Sequence, residues 1–516
     1  MSHRDRGGRG VNGGTAPQVG HQEPQSLPGE PLEAPPSGEE RGRRDLDDPS
    51  REQVLARRAL IVLGIAYLAA QLVVVGTDRA PRWDESVYLS QVMPDMEGLY
   101  FEPWHSRGIT LLVAPVTSLG GALTGVRLFL MVLAAAATTA AFRLWVPLVG
   151  LAAVVAAAVF SFSWLSLLSA SEVMPNYWAS LGLLATAGLV VRRLHGGPVR
   201  DVVFAAVGLG AVTFVRPTEA IVFAAAACAY ILVFRRSSWR VFAAMGLGAF
   251  VGWLPWLVEM SVRFGGVSNA IREAERGGHF VLAPVGANVV RHLAYTDGGA
   301  DGILLPGAIW WALVVTVSVA GLVWGATRAA RASALFCSLA ALVFAVEYLA
   351  FVSFLNARFL LPAYAMASVP FGVGVASLLR GRRPLRVGGG LVLASMIPWA
   401  IWQAGVANRA ADEISTGPVR VGATIRGLTG PTPCSFVSPL AYPKIAVSSR
   451  CQGARWRRGK TPTAADLEAL HRPGTRLFVV LLKEAPEASP LSELTPTRVH
   501  GPDRTWYVYE VPSASG

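Results

Sequence analysis

The feature that most constrains this chain is a succession of long apolar runs. Eleven runs of about 16 to 23 residues follow one another, and most are long enough to cross ~30 Å of hydrocarbon at 1.5 Å per residue. With 52% hydrophobic and 16% charged residues among 516, the chain is too apolar for a soluble globular protein. We therefore predict an all-α polytopic membrane protein with about eleven transmembrane helices. The runs cover residues 59–76, 125–143, 147–167, 176–191, 201–216, 219–234, 241–260, 304–324, 332–354, 359–379 and 387–405.

The arginines predict how these spans are oriented. If the N-terminal tail with Arg57 and Arg58 is cytoplasmic, alternation places the later arginine clusters on the same side, as the positive-inside rule requires. The net charge of +12 then mostly reflects topology, so we expect no nucleic-acid partner. An odd number of spans puts the C-terminus outside the cell, and the chain is predicted to be a multi-pass protein of the plasma membrane. The later clusters lie at residues 192–200, 235–240, 328–331 and 380–386.

The two ends of the chain differ in composition from the apolar part. Residues 1–58 are mostly Gly, Pro and charged residues, which predicts a disordered cytoplasmic tail. Residues 406–516 contain the strand-like runs TRLFVVLL and TWYVYEV and a helix-like TAADLEALH, so we predict a small extracytoplasmic α/β domain. Cys434 and Cys451 both fall in that domain, where an oxidising exterior favours a disulfide between them. Two free thiols are the alternative.

The first external loop, residues 77–124, is predicted to hold the functional carboxylates. Asp84 and Glu85 stand side by side soon after the first span, in the stretch APRWDESVYLSQV. The apolar piece 109–119 is too short to span comfortably, so we expect a helix lying in the membrane interface beside aromatic anchors. If this piece crossed the membrane, every later arginine cluster would face outward, which argues against a crossing.

The order of these features resembles the GT-C membrane glycosyltransferases, which include protein O-mannosyltransferases, lipid A aminoarabinose transferases and glycolipid mannosyltransferases. A first span is followed by an external Asp-Glu pair and an interfacial helix, then by SASEVMPNYWASLGLLATAGLVVRR, FVRPTEAIVFAAA and NARFLLPAYA. Two positions depart from the family: WHSRG stands where His is commonly followed by prolines, and Asn176 stands where many relatives have Asp. Glu172 is then the only carboxylate of its loop.

The resemblance implies an inverting transfer of a sugar, with mannose the first expectation, from a polyprenyl-phosphate donor. The acceptor would be an extracytoplasmic glycan, glycolipid or protein of the cell envelope. The acceptor hydroxyl must lose a proton to a carboxylate, and arginines should stabilise the departing phosphate. The catalytic candidates are Asp84, Glu85 and Glu172, and the candidates for binding the donor phosphate are Arg358, Arg216, Arg107 and His105.

Each candidate also has a structural interpretation. Asp84 is suited to cap the helix ESVYLSQV, Glu85 to face its dipole, and Glu172 to close a helix start. His105 and Arg107 would then anchor the loop to lipid headgroups, and Arg216 and Arg358 would pair with acidic neighbours or reach toward the interface. One further residue is conspicuous: Glu347 lies about two turns inside the ninth span, where a lone charge is costly.

Two other classes of function stay open. A transporter or flippase would also carry buried charges, although the internal repeats and broken helices of transporters are not evident here. A scaffold binding an envelope polymer is the third class, and it predicts that Asp84, Glu172 and Arg358 lie apart rather than in one cavity. No metal ligands are predicted, and the alternative is a divalent cation at Asp84 and Glu85, although adjacent carboxylates alone supply few ligands.

Overall fold

A computed structural model describes residues 50–94, 96–120, 122–234, 239–279, 281–294, 304–353, 356–456 and 461–512. Residues 1–49 of the predicted disordered tail lie outside the described residues. The first helix begins at Arg51, before the predicted end of that tail at residue 58. Ser50 caps it, its Oγ accepting a hydrogen bond of 3.3 Å from the backbone N–H of Gln53.

The helices follow the apolar runs closely. The run 304–324 becomes a helix with the same bounds, and the predicted interfacial piece 109–119 becomes a helix of eleven residues. The helices between Arg51 and Ala294 are α1 (Arg51–Ala70, extended by a π-helical turn Gln71–Val75), α2 (Trp83–Ser90), α3 (Gly108–Ser118), α4 (Leu123–Arg143), α5 (Val146–Val149), α6 (Ala152–Ser161), α7 (Trp164–Ser169), α8 (Pro175–Leu194), α9 (Arg200–Val215), α10 (Pro217–Phe234), α11 (Trp239–Phe264), α12 (Val267–Arg276) and α13 (Val285–Ala294). The remaining apolar helices are α14 (Leu304–Trp324), α15 (Arg328–Phe351), a 3₁₀ turn (Ala357–Leu360), α16 (Leu361–Arg380) and α17 (Arg383–Thr429).

Within the part of the chain that the structure describes, six helical segments are long and apolar enough to cross a membrane. The number of eleven spans therefore stays a prediction. Several other apolar helices are shorter, and the run 147–167 is divided among α5, α6 and α7. The six segments are Arg51–Val75, Leu123–Arg143, Trp239–Phe264, Arg328–Phe351, Ala357–Arg380 and Arg383–Thr429.

Helix α17 crosses the predicted domain boundary. We expected the last span to end at residue 405, but the helix has 47 residues and runs without interruption to Thr429. Its C-terminal part stays helical because it has its own apolar partner: Val421 and Ile425 are fully buried against Phe436 and Ile445. The membrane part and the C-terminal part thus share one helix, which continues across the predicted boundary at 405/406.

The C-terminal part is a five-stranded mixed sheet with two short helices. Its strand order is β2-β1-β3-β5-β4, in which β1 pairs in parallel with β2 and β3, and β5 pairs in antiparallel fashion with β3 and β4. A disulfide joins Cys434 at the start of β1 to Cys451 just before β2, as the sequence predicted. The elements are β1 (Cys434–Ser438), α18 (Tyr442–Ser449), β2 (Gln452–Arg455), α19 (Ala464–Leu470), β3 (Arg476–Leu481), β4 (Thr497–His500) and β5 (Thr505–Val511).

The first loop is held between the helices and the sheet. Arg79 lies 3.5 Å from the side-chain oxygen of Asn408 on α17, and the backbone N–H of Ala80 donates to the Asp412 carboxylate at 3.0 Å. At the start of α2, the Trp83 ring meets the Tyr442 ring of α18 edge-on, with centroids 5.3 Å apart. These contacts fix the position at which Asp84 is presented.

Candidate active site

Asp84 lies in the first turn of α2 without capping it. The N-cap of α2 is Arg82, and it is the Glu85 carboxylate that accepts a hydrogen bond from the Arg82 backbone N–H, at 3.1 Å. The interpretation of Asp84 as a helix cap is therefore wrong. Its carboxylate instead forms an ion pair with Arg358, in which the side chains are 30% and 9% exposed. Of the adjacent pair Asp84 and Glu85, Asp84 is thus the carboxylate that remains partly open to solvent, because Glu85 is fully buried.

Arg358 and Arg216 lie against the same aromatic ring. Arg358 belongs to the 3₁₀ turn that precedes α16, where the Asn356 side chain accepts a hydrogen bond of 3.3 Å from its backbone N–H. Its guanidinium carbon is 5.5 Å from the centre of the Phe359 ring, and that of Arg216 is 5.6 Å from the same centre. Two of the predicted phosphate-binding arginines therefore converge, although they are 142 positions apart in the sequence.

Arg216 is bound to a polar cluster that the sequence analysis missed. It has an extended backbone at the break between α9 and α10, and its side chain meets the Glu219 carboxylate at 2.5 Å and the Tyr348 hydroxyl at 3.0 Å. Tyr348 donates to the same Glu219 oxygen at 2.5 Å. The spacing of Arg216 and Glu219, three residues apart in VRPTE, was the signal that could have predicted this pair.

Arg216 and Tyr348 border a cavity of about 320 Å³ between α10, α11, α12 and α15. Its polar groups come from Thr218, Arg216, His279, Glu347 and Tyr348. Oxygen Oε2 of Glu347 is buried and has no hydrogen-bond partner among the described residues. The apolar lining is mostly aromatic or branched and includes Trp104, Ile221, Trp253, Trp256, Ile271, Phe351 and Phe359. The cavity can therefore hold a long apolar group beside a charged or polar one.

His279 was not predicted, because it lies in a polar segment without a motif. Its ring packs on that of Trp104, with centroids 5.0 Å apart. Burial, followed by the nearby Arg216 and His105, lowers the pKa of His279 to about 4 against the opposing charge of Asp84. The imidazole is thus neutral at pH 7, and Arg216 is the cation that this lining offers.

Glu85 and Glu172, the other two catalytic candidates, are both buried and paired with arginines. Glu85 is fully buried and accepts from Arg127 at 3.0 Å and from the Val173 backbone N–H at 3.3 Å. Burial raises the pKa of Glu85, but Arg127 and Arg79 more than offset this, so the pKa is lowered. Glu172 is equally buried, and Arg79 and Arg82 lie 3.1 and 3.0 Å from its carboxylate. The interpretation of Glu172 as a helix cap is wrong, because Met174 is the N-cap of α8.

Arg107 and His105 each contact a carboxylate of the protein. Arg107 pairs with Glu259 of α11 at 2.8 Å and donates to the Gln91 side chain at 3.0 Å. His105 lies 2.7 Å from the Glu102 carboxylate. Each of the two is paired with a carboxylate, so Arg107 and His105 are contacts that hold the first loop. Among the described residues, Arg216 lines the cavity, whereas Asp84 and Arg358 do not; the structure brings Asp84 and Arg358 to it through the shared contact of Arg358 and Arg216 with the Phe359 ring.

Solved structures show which fold this is. A structure of ArnT from Cupriavidus metallidurans bound to undecaprenyl phosphate superposes with a TM-score of 0.61 at 14% identity, covering 88% of this chain and 99% of that one. An oligosaccharyltransferase from Archaeoglobus fulgidus, in complex with Zn and sulfate, gives a TM-score of 0.52 at 12% identity, covering 88% of this chain and 75% of that one. The chain has the GT-C fold. Neither a family model nor a curated protein matches the sequence itself.

Among the described residues, the neighbouring carboxylates of Asp84 and Glu85 face different cations. Within the described residues, no group of three or more His, Cys, Asp and Glu side chains comes together in a way that would hold a metal ion. Asp84 and Glu85 are adjacent in sequence, yet one pairs with Arg358 and the other with Arg127. Because each carboxylate already faces a guanidinium, the two do not form the oxygen-rich set that a divalent cation prefers.

Proposed function

We propose that this chain is a glycosyltransferase that moves a sugar from a polyprenyl-phosphate donor to an acceptor hydroxyl outside the cell. The observation that carries the proposal is the contact of Asp84 with Arg358, with Arg216 beside Arg358 at an apolar cavity. A carboxylate to take a proton and guanidinium groups to receive a phosphate are the two parts that such a transfer needs.

The cavity supports a lipid-linked donor. Its aromatic and branched walls suit the isoprene chain, while Arg216 supplies a cation for the phosphate. The similarity in fold to ArnT, whose structure holds undecaprenyl phosphate, is consistent with a donor of this kind. We place the first loop and the sheet outside the cell, so that a donor held in the outer part of the membrane meets Asp84 at the surface.

The reaction follows from these groups. An oxygen of the acceptor forms a bond to the anomeric carbon while its proton passes to the Asp84 carboxylate. The bond from the anomeric carbon to the phosphate oxygen breaks, and the phosphate keeps the bonding electrons. Arg358 and Arg216 stabilise the charge that develops there, so Arg358 would exchange Asp84 for the phosphate when the donor binds. Attack on the face opposite the phosphate inverts the anomeric configuration.

Three parts of the proposal extend beyond this geometry. Mannose is the first sugar to test, because RPTEAI and NARFLLP resemble segments of glycolipid mannosyltransferases. The acceptor would be a glycan, glycolipid or protein of the cell envelope. The membrane part would comprise about eleven spans, with residues 1–58 in the cytoplasm and the sheet outside, joined through α17.

A transfer assay tests the proposal. Purified protein in lipid nanodiscs would be given a panel of radiolabelled polyprenyl-phosphate sugars together with envelope extract. We expect one label to move from the lipid into envelope material, with transfer by Asp84→Asn lowered about 10²–10⁴-fold. Asp503→Asn is the matched control, because that carboxylate is exposed and pairs with the adjacent Arg504 of the sheet part.

A transporter or flippase of a lipid-linked or anionic envelope substrate is the alternative, and the same panel separates it. Protein reconstituted in vesicles would move the labelled lipid across the bilayer with its phosphate bond intact. Translocation without release of polyprenyl phosphate would therefore contradict the proposed transfer.

A further inference from the structure

A second cavity lies outside the site described above, between the first loop and the edge of the sheet. It has a volume of about 260 Å³. One wall is the segment Glu97–Tyr100 of the first loop, and the other is formed by strand β2 with Tyr442 at the start of α18. We call this cavity the sheet-edge groove.

Strand β2 lies at the edge of the sheet, so one row of its backbone groups is directed away from the sheet. Among the described strands, β2 pairs with β1 alone. Along a parallel ladder every second residue bonds to the neighbouring strand, and the backbone N–H of Trp456 donates to Ser438 of β1 at 2.9 Å. By the same alternation Gly453 and Arg455 face away from β1. Among the described residues, no backbone hydrogen bond joins them to the segment Glu97–Tyr100.

The side chains around the groove are mainly hydrogen-bonding groups. Of its nine lining residues, five carry polar side chains, which makes the groove unlike the mostly apolar cavity beside Arg216. Arg472 closes part of it by donating to the Gln452 side chain and lying 4.0 Å from the Glu97 carboxylate. The five residues are Glu97, Tyr100, Tyr442, Gln452 and Arg455.

This chemistry suits a saccharide better than a peptide strand. Sugar hydroxyls both donate and accept, so they match a lining that alternates carboxylate, amide, guanidinium, phenol and backbone groups. A peptide added to a sheet edge gains specificity from apolar pockets for alternate side chains. Leu99 offers no such pocket, because its side chain is 7% exposed and packs into the core of the sheet part.

The groove is also connected to Asp84. The Tyr442 ring lies edge-on against Trp83, with 5.3 Å between ring centres, and Trp83 immediately precedes Asp84. We propose that the sheet-edge groove binds the saccharide portion of the acceptor, with Arg455 and Gln452 holding its hydroxyls. Naming this saccharide the acceptor depends on the proposed glycosyl transfer, whereas its binding does not.

A binding experiment tests the groove without any turnover. Saturation-transfer NMR would be recorded on the full chain in nanodiscs free of sugar-based detergents, with a panel of methyl hexosides, methyl pentosides and their disaccharides. We expect at least one of these to bind, and Arg455→Ala to raise its Kd about tenfold, the loss of one hydrogen bond to a charged group. Arg498→Ala is the matched control, because Arg498 lies on β4 at the opposite edge of the sheet and is also exposed.

The remaining outcomes count against the groove as a saccharide site. Absence of binding by the whole panel, or an equal Kd for Arg455→Ala and Arg498→Ala, would overturn it. A Ser/Thr-containing pentapeptide is included, and binding of that peptide alone, lost in Arg455→Ala, would assign the groove to a peptide instead. Tyr442→Phe keeps the ring on Trp83 and tests the same site if Arg455→Ala is poorly folded.

Turnover then separates the two proposals. If the wild type cleaves the donor, we expect Arg455→Ala to have an acceptor KM about tenfold above that of Arg498→Ala. Donor cleavage with equal acceptor KM values would refute the groove and leave the transfer reaction standing. Saccharide binding by a wild type that cleaves no donor would refute the transfer reaction and leave the groove as a saccharide site.

Discussion

Replacing Asp84 with asparagine separates a chemical role from a structural one. The helix α2 is capped at Arg82, and Glu85 supplies the carboxylate that accepts from the Arg82 backbone, so Asp84 contributes to α2 only through its charge near the helix start. Asparagine keeps the shape of the side chain and removes the negative charge. The change therefore alters the partner of Arg358 and leaves the helix in place.

The two roles predict effects of different size. A partly exposed ion pair is worth about 0–1 kcal/mol, and a carboxylate near a helix N-terminus about 0.3–1 kcal/mol, so Asp84→Asn should lower the free energy of unfolding by about 1 kcal/mol. Loss of a general base lowers turnover by about 10²–10⁴-fold, which corresponds to ~3–5 kcal/mol of activation free energy. The rate should therefore fall much further than the stability.

Glu85→Gln supplies the contrast. Glu85 and Arg127 are both fully buried, and removing one partner of a buried pair costs about 3–5 kcal/mol because it leaves an uncompensated charge. We expect this variant to give much less folded protein. The assay for both variants is label transfer per folded molecule in nanodiscs, with the folded fraction measured by size-exclusion chromatography and thermal unfolding.

One result would refute this reasoning. If Asp84→Asn transfers sugar at the wild-type rate per folded molecule, Asp84 is not the base, and the contact with Arg358 is only structural. A loss of folded protein as large as that of Glu85→Gln would show instead that the ion pair with Arg358 stabilises the fold more than its exposure implies.

Three further outcomes are expected. A reporter active only outside the cell should be active after Gly516 and inactive within 380–386, and the reverse would contradict the proposed orientation. Mass spectrometry of unreduced protein should show Cys434 linked to Cys451. Reduction should destabilise the sheet part by about 3 kcal/mol, because the disulfide closes a loop with a sequence separation of 17. Alkylation of both thiols without reductant would contradict the link. The pKa of His279 is about 4 in the fold and ~6.5 when unfolded, so the unfolded chain binds more protons between these values and stability is lost as the pH falls from ~6.5 to 4. His279→Gln should lose less Tm than the wild type between pH 7.5 and 5, and equal losses would count against a buried neutral imidazole.

The helices could be predicted from the sequence because their signal is local. Hydropathy alone located α14 to the residue and identified the short helix α3. It failed at the end of α17, where apolar character falls although the helix continues. There the helix is stabilised by contacts of Val421 and Ile425 with strands and helices that come later in the chain, and hydropathy along one segment does not contain those contacts.

The site was predictable only in part, for a related reason. A carboxylate pair after the first span and arginines at helix ends can be seen in the sequence, and Asp84, Arg216 and Arg358, which the structure brings together, were predicted as site residues in that way. Which residues pair is a matter of tertiary structure: Asp84 and Arg358 are 274 positions apart. Arg79, Arg82 and Arg127 were missed because arginines near apolar runs look alike, whether they mark topology or neutralise a buried carboxylate.

The unbroken helix α17 makes the sheet part a rigid attachment rather than a tethered one. At 1.5 Å per residue its 47 residues extend about 70 Å, and each residue also turns the chain by about 100°. Inserting one residue between Trp402 and Asp412 would rotate the sheet by about 100°, a little over a quarter of a revolution, around the helix axis. The contacts of α17 with Arg79 and Ala80, and of Tyr442 with Trp83, depend on that angular phase. Changes of length here are therefore compatible with an intact site only in steps close to whole helical turns.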